Sequence, residues 1–95
     1  MNRFNKISIT GNRVTPEDVA EAIDRAEYVK LGEKIVICHL TLKDGFEVIG
    51  QAGVVDASLF DMETGKGISL QKAMERVWQH MGSILQDRLL STSAE

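Results

Sequence analysis

The clearest hydrophobic pattern lies in residues 34–42, where apolar and β-branched residues lead up to Asp44-Gly45. Residues of this kind are typical of β-strands. Asp-Gly between two apolar runs is typical of a two-residue hairpin turn in which both residues have positive φ. The return strand is therefore predicted at residues 46–51, with Leu40 opposite Ile49.

Both faces of the predicted hairpin are apolar. In this register one face carries Val36, Cys38, Leu40, Leu42 and Ile49. The other face carries Ile35, Ile37, His39, Thr41, Phe46 and Val48. A ribbon of this kind cannot face water along its whole length on either side. We therefore expect helices on one face and a second copy of the chain, or a ligand, on part of the other.

Helical periodicity is found on either side of the hairpin. Thr15-Pro16 is typical of a helix start, with threonine as the N-cap and proline at the first helical position. The apolar stripe that follows predicts a helix up to Gly32, a natural C-terminal stop. A second amphipathic helix is predicted at about residues 69–90. Its apolar positions recur at steps of four and three: Leu70, Met74, Val77, Met81 and Ile84.

These elements predict an α+β fold with the order N-terminal helix, antiparallel β-hairpin, short connector and long C-terminal amphipathic helix. A length of 95 residues allows one domain, residues 1–95. Residues 1–13 are expected to form an extended arm or an edge strand, and residues 91–95 a frayed tail. A third strand is expected from the N-terminus or from Val54-Val55.

Trp78 lies on the apolar stripe of the second predicted helix. An aromatic residue at such a position is usually part of the core, so we expect the indole ring to pack with Leu40, Ile49 and Val77. The alternative is an exposed tryptophan at an oligomer interface or in a ligand pocket.

Composition narrows the classes of function. Lysine and arginine total 11 against 14 for aspartate and glutamate, and the net charge of −3 argues against a binder of duplex nucleic acid. No apolar run approaches the ~20 residues of a membrane span. The N-terminus lacks the apolar segment of a signal peptide, so the cytoplasm is the expected location. A short chain with one small core and no disulfide is also expected to self-associate.

Catalytic and metal-binding groups are not apparent in the sequence. Cys38 and His39 are adjacent on a predicted strand and point to opposite faces, which disfavours a Cys–His nucleophile pair. Together with His80 they lack the spacing of a metal site, and Cys38 is interpreted as a small core residue. Asp61 and Glu63 do not share a helix face. We therefore expect no enzymatic activity, no metal and no cofactor.

A cue for anion binding precedes the second predicted helix. Gly65-Lys66-Gly67 is followed by a helix start near Ser69, and backbone N–H groups at a helix N-terminus attract phosphate. Lys72 and Arg76 are one turn apart on that helix and can project to one side. The predicted ligand site consists of Gly65, Lys66, Gly67, Lys72 and Arg76. The alternative interpretation is a flexible connector and solvated surface charges.

Several motifs occur together in a specific order. They are VTPED at 14–18, the hairpin ICHLTLKDGF at 37–46, FDxExG at 60–65, and a helix with Ala73, Trp78, Gly82, Leu85 and Leu89. In this order they resemble a family of small tailed-phage proteins labelled by the gene products forty-nine and sixty-six of two podophages. The chain departs from that pattern at Gly67 and at Ser83, where an aromatic residue commonly follows the glycine. The resemblance covers about residues 14–90 and implies a phage or prophage accessory protein that acts in the host cytoplasm. It supplies no catalytic residues.

Two functions are compatible with these features. The first is a non-enzymatic protein that helps the phage against host defence by sequestering a small anionic, nucleotide-type signal. The second is a protein–protein inhibitor or adaptor that docks on a host enzyme through an acidic or apolar surface. Small size, self-association and the Gly-Lys-Gly segment favour the first function. The net charge of −3 and the half-covered hairpin favour the second.

The apolar hairpin and helix stripe predict a homo-oligomer, because one small core cannot cover both surfaces. Light scattering over a roughly hundredfold dilution series should report at least a dimer at micromolar concentration. A 10.5 kDa species at every concentration would contradict this expectation.

Overall fold

The computed structural model describes residues 6–93 of the chain. Its elements are α1 (Pro16–Ala22), β1 (Ile23–Leu31), β2 (Ile35–Leu42), β3 (Glu47–Gly53) and α2 (Met62–Ser93). A short 3-10 turn connects β3 to α2, and the strands form an antiparallel sheet in the order β1-β2-β3. The predicted α+β class is confirmed, with its N-terminal helix, hairpin and long C-terminal helix.

Two predictions from the sequence concern the ends of the chain, an N-terminal arm or edge strand and a C-terminal tail. Residues 1–5 of the predicted arm lie outside the described residues, and residues 6–13 contain no strand. Ile7 is buried in the core. Its carbonyl oxygen accepts a hydrogen bond of 3.0 Å from Nη2 of Arg88, which lies on α2. At the other end α2 continues to Ser93, three residues into the predicted frayed tail of residues 91–95, and residues 94–95 lie outside the described residues.

The first helix starts as predicted but is much shorter. Thr15 caps α1 in a capping box, in which its hydroxyl accepts from the Asp18 N–H and its own N–H donates to the Asp18 carboxylate. The helix ends at Ala22, and the predicted extension to Gly32 is wrong because β1 occupies that segment. The third strand is therefore β1, and within the described part of the chain neither residues 6–13 nor Val54-Val55 supply it.

The hairpin forms at Asp44-Gly45, but its predicted register is wrong by one residue. Of the turn residues Lys43, Asp44 and Gly45, only Gly45 has positive φ, at 87°. The Leu42 N–H donates to the Phe46 carbonyl oxygen, and the Gly45 N–H donates to the Leu42 carbonyl oxygen. This is a three-residue loop with glycine in the left-handed region, rather than a two-residue turn.

The change of register moves every β3 side chain to the opposite face. Leu40 lies opposite Val48, not Ile49. Val48 is 8% exposed and belongs to the core, whereas Ile49 is 48% exposed on the face of the sheet away from α2. The predicted cluster of Leu40, Ile49, Val77 and Trp78 is correct for Leu40 and Val77 only, since Trp78 is 41% exposed.

Helix α2 lies directly on the strand backbone. A Cβ atom at Gly50 would be 2.2 Å from the Ser69 carbonyl oxygen and 2.3 Å from the Ala73 nitrogen, and one at Gly65 would be 2.7 Å from a methyl group of Val36. Such distances leave no room for a side chain. The two glycines therefore allow helix and sheet to approach closely.

The same contacts give the direction of the helix. From Gly65 to His80, α2 rises about 22 Å, and its neighbours change from Val36 near one end of the sheet to Asp44 in the hairpin turn. Helix α2 therefore runs antiparallel to β3 along most of the strand. Its start at Met62 lies about two turns before the predicted start near residue 69.

We predict opposite effects for two glycine substitutions. Gly50→Ala should lower the free energy of unfolding by at least about 2 kcal/mol, because the added methyl group would overlap the α2 backbone. Gly67→Ala is the matched control: its site is open, and alanine should stabilise the helix by about 0.5–1 kcal/mol. Urea unfolding measures both values. Equal effects at the two sites would contradict the close helix–sheet contact.

Candidate functional site

A groove of about 620 Å³ lies between the outer edge of β3 and the side of α2. Its lining residues are His39, Phe46, Glu47, Val48, Ile49, Arg76, Gln79, His80 and Ser83. Past Ile49 and Arg76 it continues into a pocket of about 250 Å³ that Gly50, Gln51 and Lys72 complete. We call the two together the edge groove.

The cationic side of the edge groove comes from helix periodicity. Ala73 and Val77 face the sheet and are fully buried. Lys72 and Arg76 each precede one of them, and the ~100° turn per residue carries both to the same side of the helix, towards β3. Both residues are exposed, and no ion pair within residues 6–93 involves either of them.

The hairpin end of the edge groove is built on a buried carboxylate. The Asp44 side chain is 0% exposed, and its Oδ2 lies 2.8 Å from His80 Nε2 on α2. Its Oδ1 accepts from the Phe46 N–H at 2.9 Å. The Phe46 ring stacks on the His80 ring, with centroids 3.9 Å apart and planes 3° from parallel. These contacts fix the turn to the helix.

His39 lies where the edge groove meets the open face of the sheet. Its Nε2 lies 2.6 Å from Glu47 Oε1, and its Nδ1 lies 3.6 Å from Glu27 Oε1. The three residues come from three adjacent strands. In the described residues no group of three or more His, Cys, Asp and Glu side chains is arranged to hold a metal ion.

The structure brings together two of the five predicted ligand residues, Lys72 and Arg76. Gly65, Lys66 and Gly67 lie inside α2, where the Gly65 N–H donates to the Asp61 carbonyl oxygen. Their amides are therefore not at the helix N-terminus.

Lys66 projects to another side of the helix. Its Nζ lies 3.5 Å from Glu63 and 5.6 Å from the centre of the Tyr28 ring. At the N-terminus itself Asp61 accepts from the Thr64 N–H, and the Thr64 hydroxyl holds the pKa of Asp61 below its usual value. A carboxylate thus already lies at the helix N-terminus.

Cys38 is a core residue, as predicted. It is fully buried on the face of β2 under α2. Burial raises the pKa of its thiol, although a hydrogen bond with Tyr28 opposes that shift. A buried thiol with a raised pKa is a poor nucleophile.

Residues 14–89 match the model of a family described as phage protein (N4 Gp49/phage Sf6 gene 66). The chain belongs to this phage protein family. The matched segment runs from just before the N-cap of α1 to near the end of α2, so it contains the sheet and the whole edge groove. No curated protein and no solved structure matches the chain. In the described residues no helix is long and apolar enough to cross a membrane.

We predict that Asp44 and His80 stabilise this phage protein jointly. Asp44→Ala should lower the free energy of unfolding by about 1–3 kcal/mol, because the turn and the helix both lose a hydrogen-bond partner. A double-mutant cycle with His80→Ala should give a coupling of about 1 kcal/mol or more.

Asp56→Ala is a suitable control for that cycle. Asp56 also accepts from a backbone N–H two residues on, but it is exposed and its partner is the neighbouring Ser58. Its loss should cost less than about 1 kcal/mol. Purely additive effects of Asp44→Ala and His80→Ala would show that the contact contributes no stability of its own.

Proposed function

We propose that this phage protein is a non-enzymatic counter-defence protein that sequesters a small anionic, nucleotide-type signal of the host in the edge groove. One observation carries the proposal: two cations without ion-pair partners in the described residues, Lys72 and Arg76, share a groove with the stacked rings of Phe46 and His80. A nucleotide has the matching chemistry, with phosphate at one end and an aromatic base at the other.

The cations supply the phosphate contacts. A guanidinium group binds phosphate with two parallel hydrogen bonds and an ammonium group binds it as a point charge. Because Lys72 and Arg76 have no carboxylate partner in the described residues, binding requires no ion pair to be broken. The chain as a whole has a net charge of −3, so the two cations make this part of the groove locally positive on an acidic protein.

The ring pair supplies a surface for the base. Phe46 is 39% exposed, so part of its ring is available for stacking while His80 and Asp44 hold its orientation. Stacking of a base on an aromatic side chain contributes about 1–3 kcal/mol. Phe46 is also at the opposite end of the edge groove from Lys72, which suits an elongated ligand.

Binding without turnover is consistent with the groups at the site. The thiol of Cys38 is buried under α2 and does not line the edge groove, His80 Nε2 is engaged by Asp44, and His39 Nε2 by Glu47. Sequestration needs only affinity and enough copies of the protein. It would take place in the host cytoplasm, where such signals are made.

A second candidate function is docking on a host enzyme, which the uncovered face of the sheet favours. Its exposed apolar side chains come from all three strands: Val29, Leu31, Ile35 and Ile49. A contiguous apolar surface of this kind is typical of a protein–protein interface. Self-association through the same face would cover it equally well.

We predict that calorimetric titration of cyclic dinucleotides and ADP-ribose-type messengers will give a binding isotherm with at least one of them. Lys72→Ala/Arg76→Ala should weaken that binding by at least about tenfold, since two charge-assisted contacts are lost. Phe46→Ala should weaken it as well, through loss of stacking.

Lys66→Ala is the matched control, because it removes a cation from the same helix but outside the edge groove. It should leave the affinity unchanged. An equal effect of Lys66→Ala and of the double variant would place the ligand elsewhere. Absence of heat with every nucleotide, together with recovery of a host enzyme by pull-down, would favour the docking function.

A further inference from the structure

The two edges of the sheet differ in a way that matters for pairing. The free edge of β1 carries charged side chains along its length, and its ladder with β2 has a register shift between Ile23 and Arg25. Charges and bulges are the means by which proteins protect edge strands. The ladder of β3 is regular, the strand has no lysine or proline, and Glu47 is its single charged residue. The β3 edge is therefore unprotected.

The outward-facing backbone groups of β3 follow from its ladder with β2. The Leu42 N–H donates to the Phe46 carbonyl oxygen at 2.8 Å, and the Val54 N–H donates to the Lys34 carbonyl oxygen at 3.1 Å. Backbone groups of successive residues in a strand point alternately to either side, so the even-numbered residues face β2. The residues that face the free edge are Glu47, Ile49, Gln51 and Gly53. No strand within residues 6–93 pairs with them.

Helix α2 places charge beside this edge. Lys72 and Arg76 line the part of the edge groove that Ile49, Gly50 and Gln51 close from the other side. They are about 6 Å apart along the helix axis, and alternate residues of a strand are about 6.8 Å apart. Because α2 runs antiparallel to β3, a strand added beside β3 would bring alternate side chains opposite these two cations.

We propose that β3 accepts an extended segment of a host protein as a fourth strand, and that this segment carries two carboxylates in an acidic-x-acidic pattern. The backbone of the segment pairs with the outward N–H and C=O groups of Glu47, Ile49 and Gln51. Its carboxylates face Lys72 and Arg76. The intervening side chains lie on the open face of the sheet next to Ile49, which favours apolar residues there. The partner is thus recognised by its backbone and by the spacing of its charges.

A second copy of this chain fits the edge less well. Antiparallel pairing of two β3 strands about a two-fold axis would put both α2 helices on the same side of the joined sheet. Lys72 and Arg76 of each copy would then face those of the other across the axis, and like charges at close range are unfavourable. An acidic segment removes that repulsion, so charge complementarity selects it over self-pairing.

The test uses a short fluorescein-labelled peptide of alternating glutamate and valine, measured by fluorescence anisotropy with the full chain. Its affinity should exceed that of a lysine–valine peptide by at least about tenfold. Glutamates would form charge pairs with Lys72 and Arg76, whereas lysines at the same positions would be repelled by them. Arg76→Ala should weaken binding of the acidic peptide about three- to tenfold, whereas Lys66→Ala should not change it.

N-methylated peptides distinguish backbone hydrogen bonding from charge attraction alone, because N-methylation removes N–H donors and leaves the charges unchanged. Two further peptides carry N-methyl groups, one on every glutamate amide and the other on every valine amide. A strand pairs through one side only, so one of these peptides should lose at least about tenfold in affinity and the other should bind like the parent. On the protein, Gln51→Pro removes an outward N–H without touching the ladder to β2. It should weaken peptide binding, with Gln51→Ala as the control.

These outcomes are separable from those of nucleotide binding. The N-methyl groups are on the peptides, so the affinity of the original chain for a nucleotide is measured independently of this comparison. No preference for the acidic peptide, or equal binding of both N-methylated peptides, would overturn strand addition and leave the nucleotide proposal intact. Hydrogen exchange of the Glu47, Ile49 and Gln51 amides without peptide gives a further test. Slow exchange that becomes fast on dilution would overturn strand addition by a host segment, because it would show that a second copy of the chain occupies the edge.

Discussion

The structure depends on the contact between the backbones of α2 and β3 at Gly50. No side chain separates Ser69 and Ala73 from the strand at this point, so the helix is held closer to β3 than side-chain packing would allow. Together with the contacts of Gly65 with Val36 and of His80 with Asp44, it fixes the path of α2 along the strand. Lys72 and Arg76, on the neighbouring side of the helix, consequently lie at the edge of β3, and His80 lies at the hairpin turn. Gly50, in the middle of β3, thereby helps to position the whole edge groove.

Local patterns were sufficient to predict the hairpin, the cap at Thr15 and the amphipathic α2. They failed for β1 because α2 lies over β2 and β3 and leaves most of β1 exposed, with Ile23 and Tyr28 half-buried against the core. A strand with two half-buried side chains shows no regular alternation, and its charged residues suggested a helix. The register failed for a different reason: Asp-Gly suits two- and three-residue loops alike, and only the packing of Val48 under α2 decides between them.

The site was predictable to the extent that it lies on one helix. That Lys72 and Arg76 lie on one side of α2 could be predicted because their spacing of one turn is visible in the sequence. Gly65–Gly67 were misplaced because two glycines looked like the end of a connector, whereas Gly65 is required within α2 by its contact with Val36. Nothing local connects Asp44 with His80, 36 residues away, so the hairpin end of the edge groove could be found only from the fold.

Strand addition and anion binding would use the same two cations, and this overlap has a thermodynamic consequence. A nucleotide whose phosphates contact Lys72 and Arg76 removes the charge that an acidic segment needs. By linkage the segment lowers the affinity for the nucleotide by the same factor. A protein with separate sites for the two ligands could bind both at once. This one would exchange them, so that a rise in the anionic signal would release the host segment, and the groove would couple the two activities through competition alone.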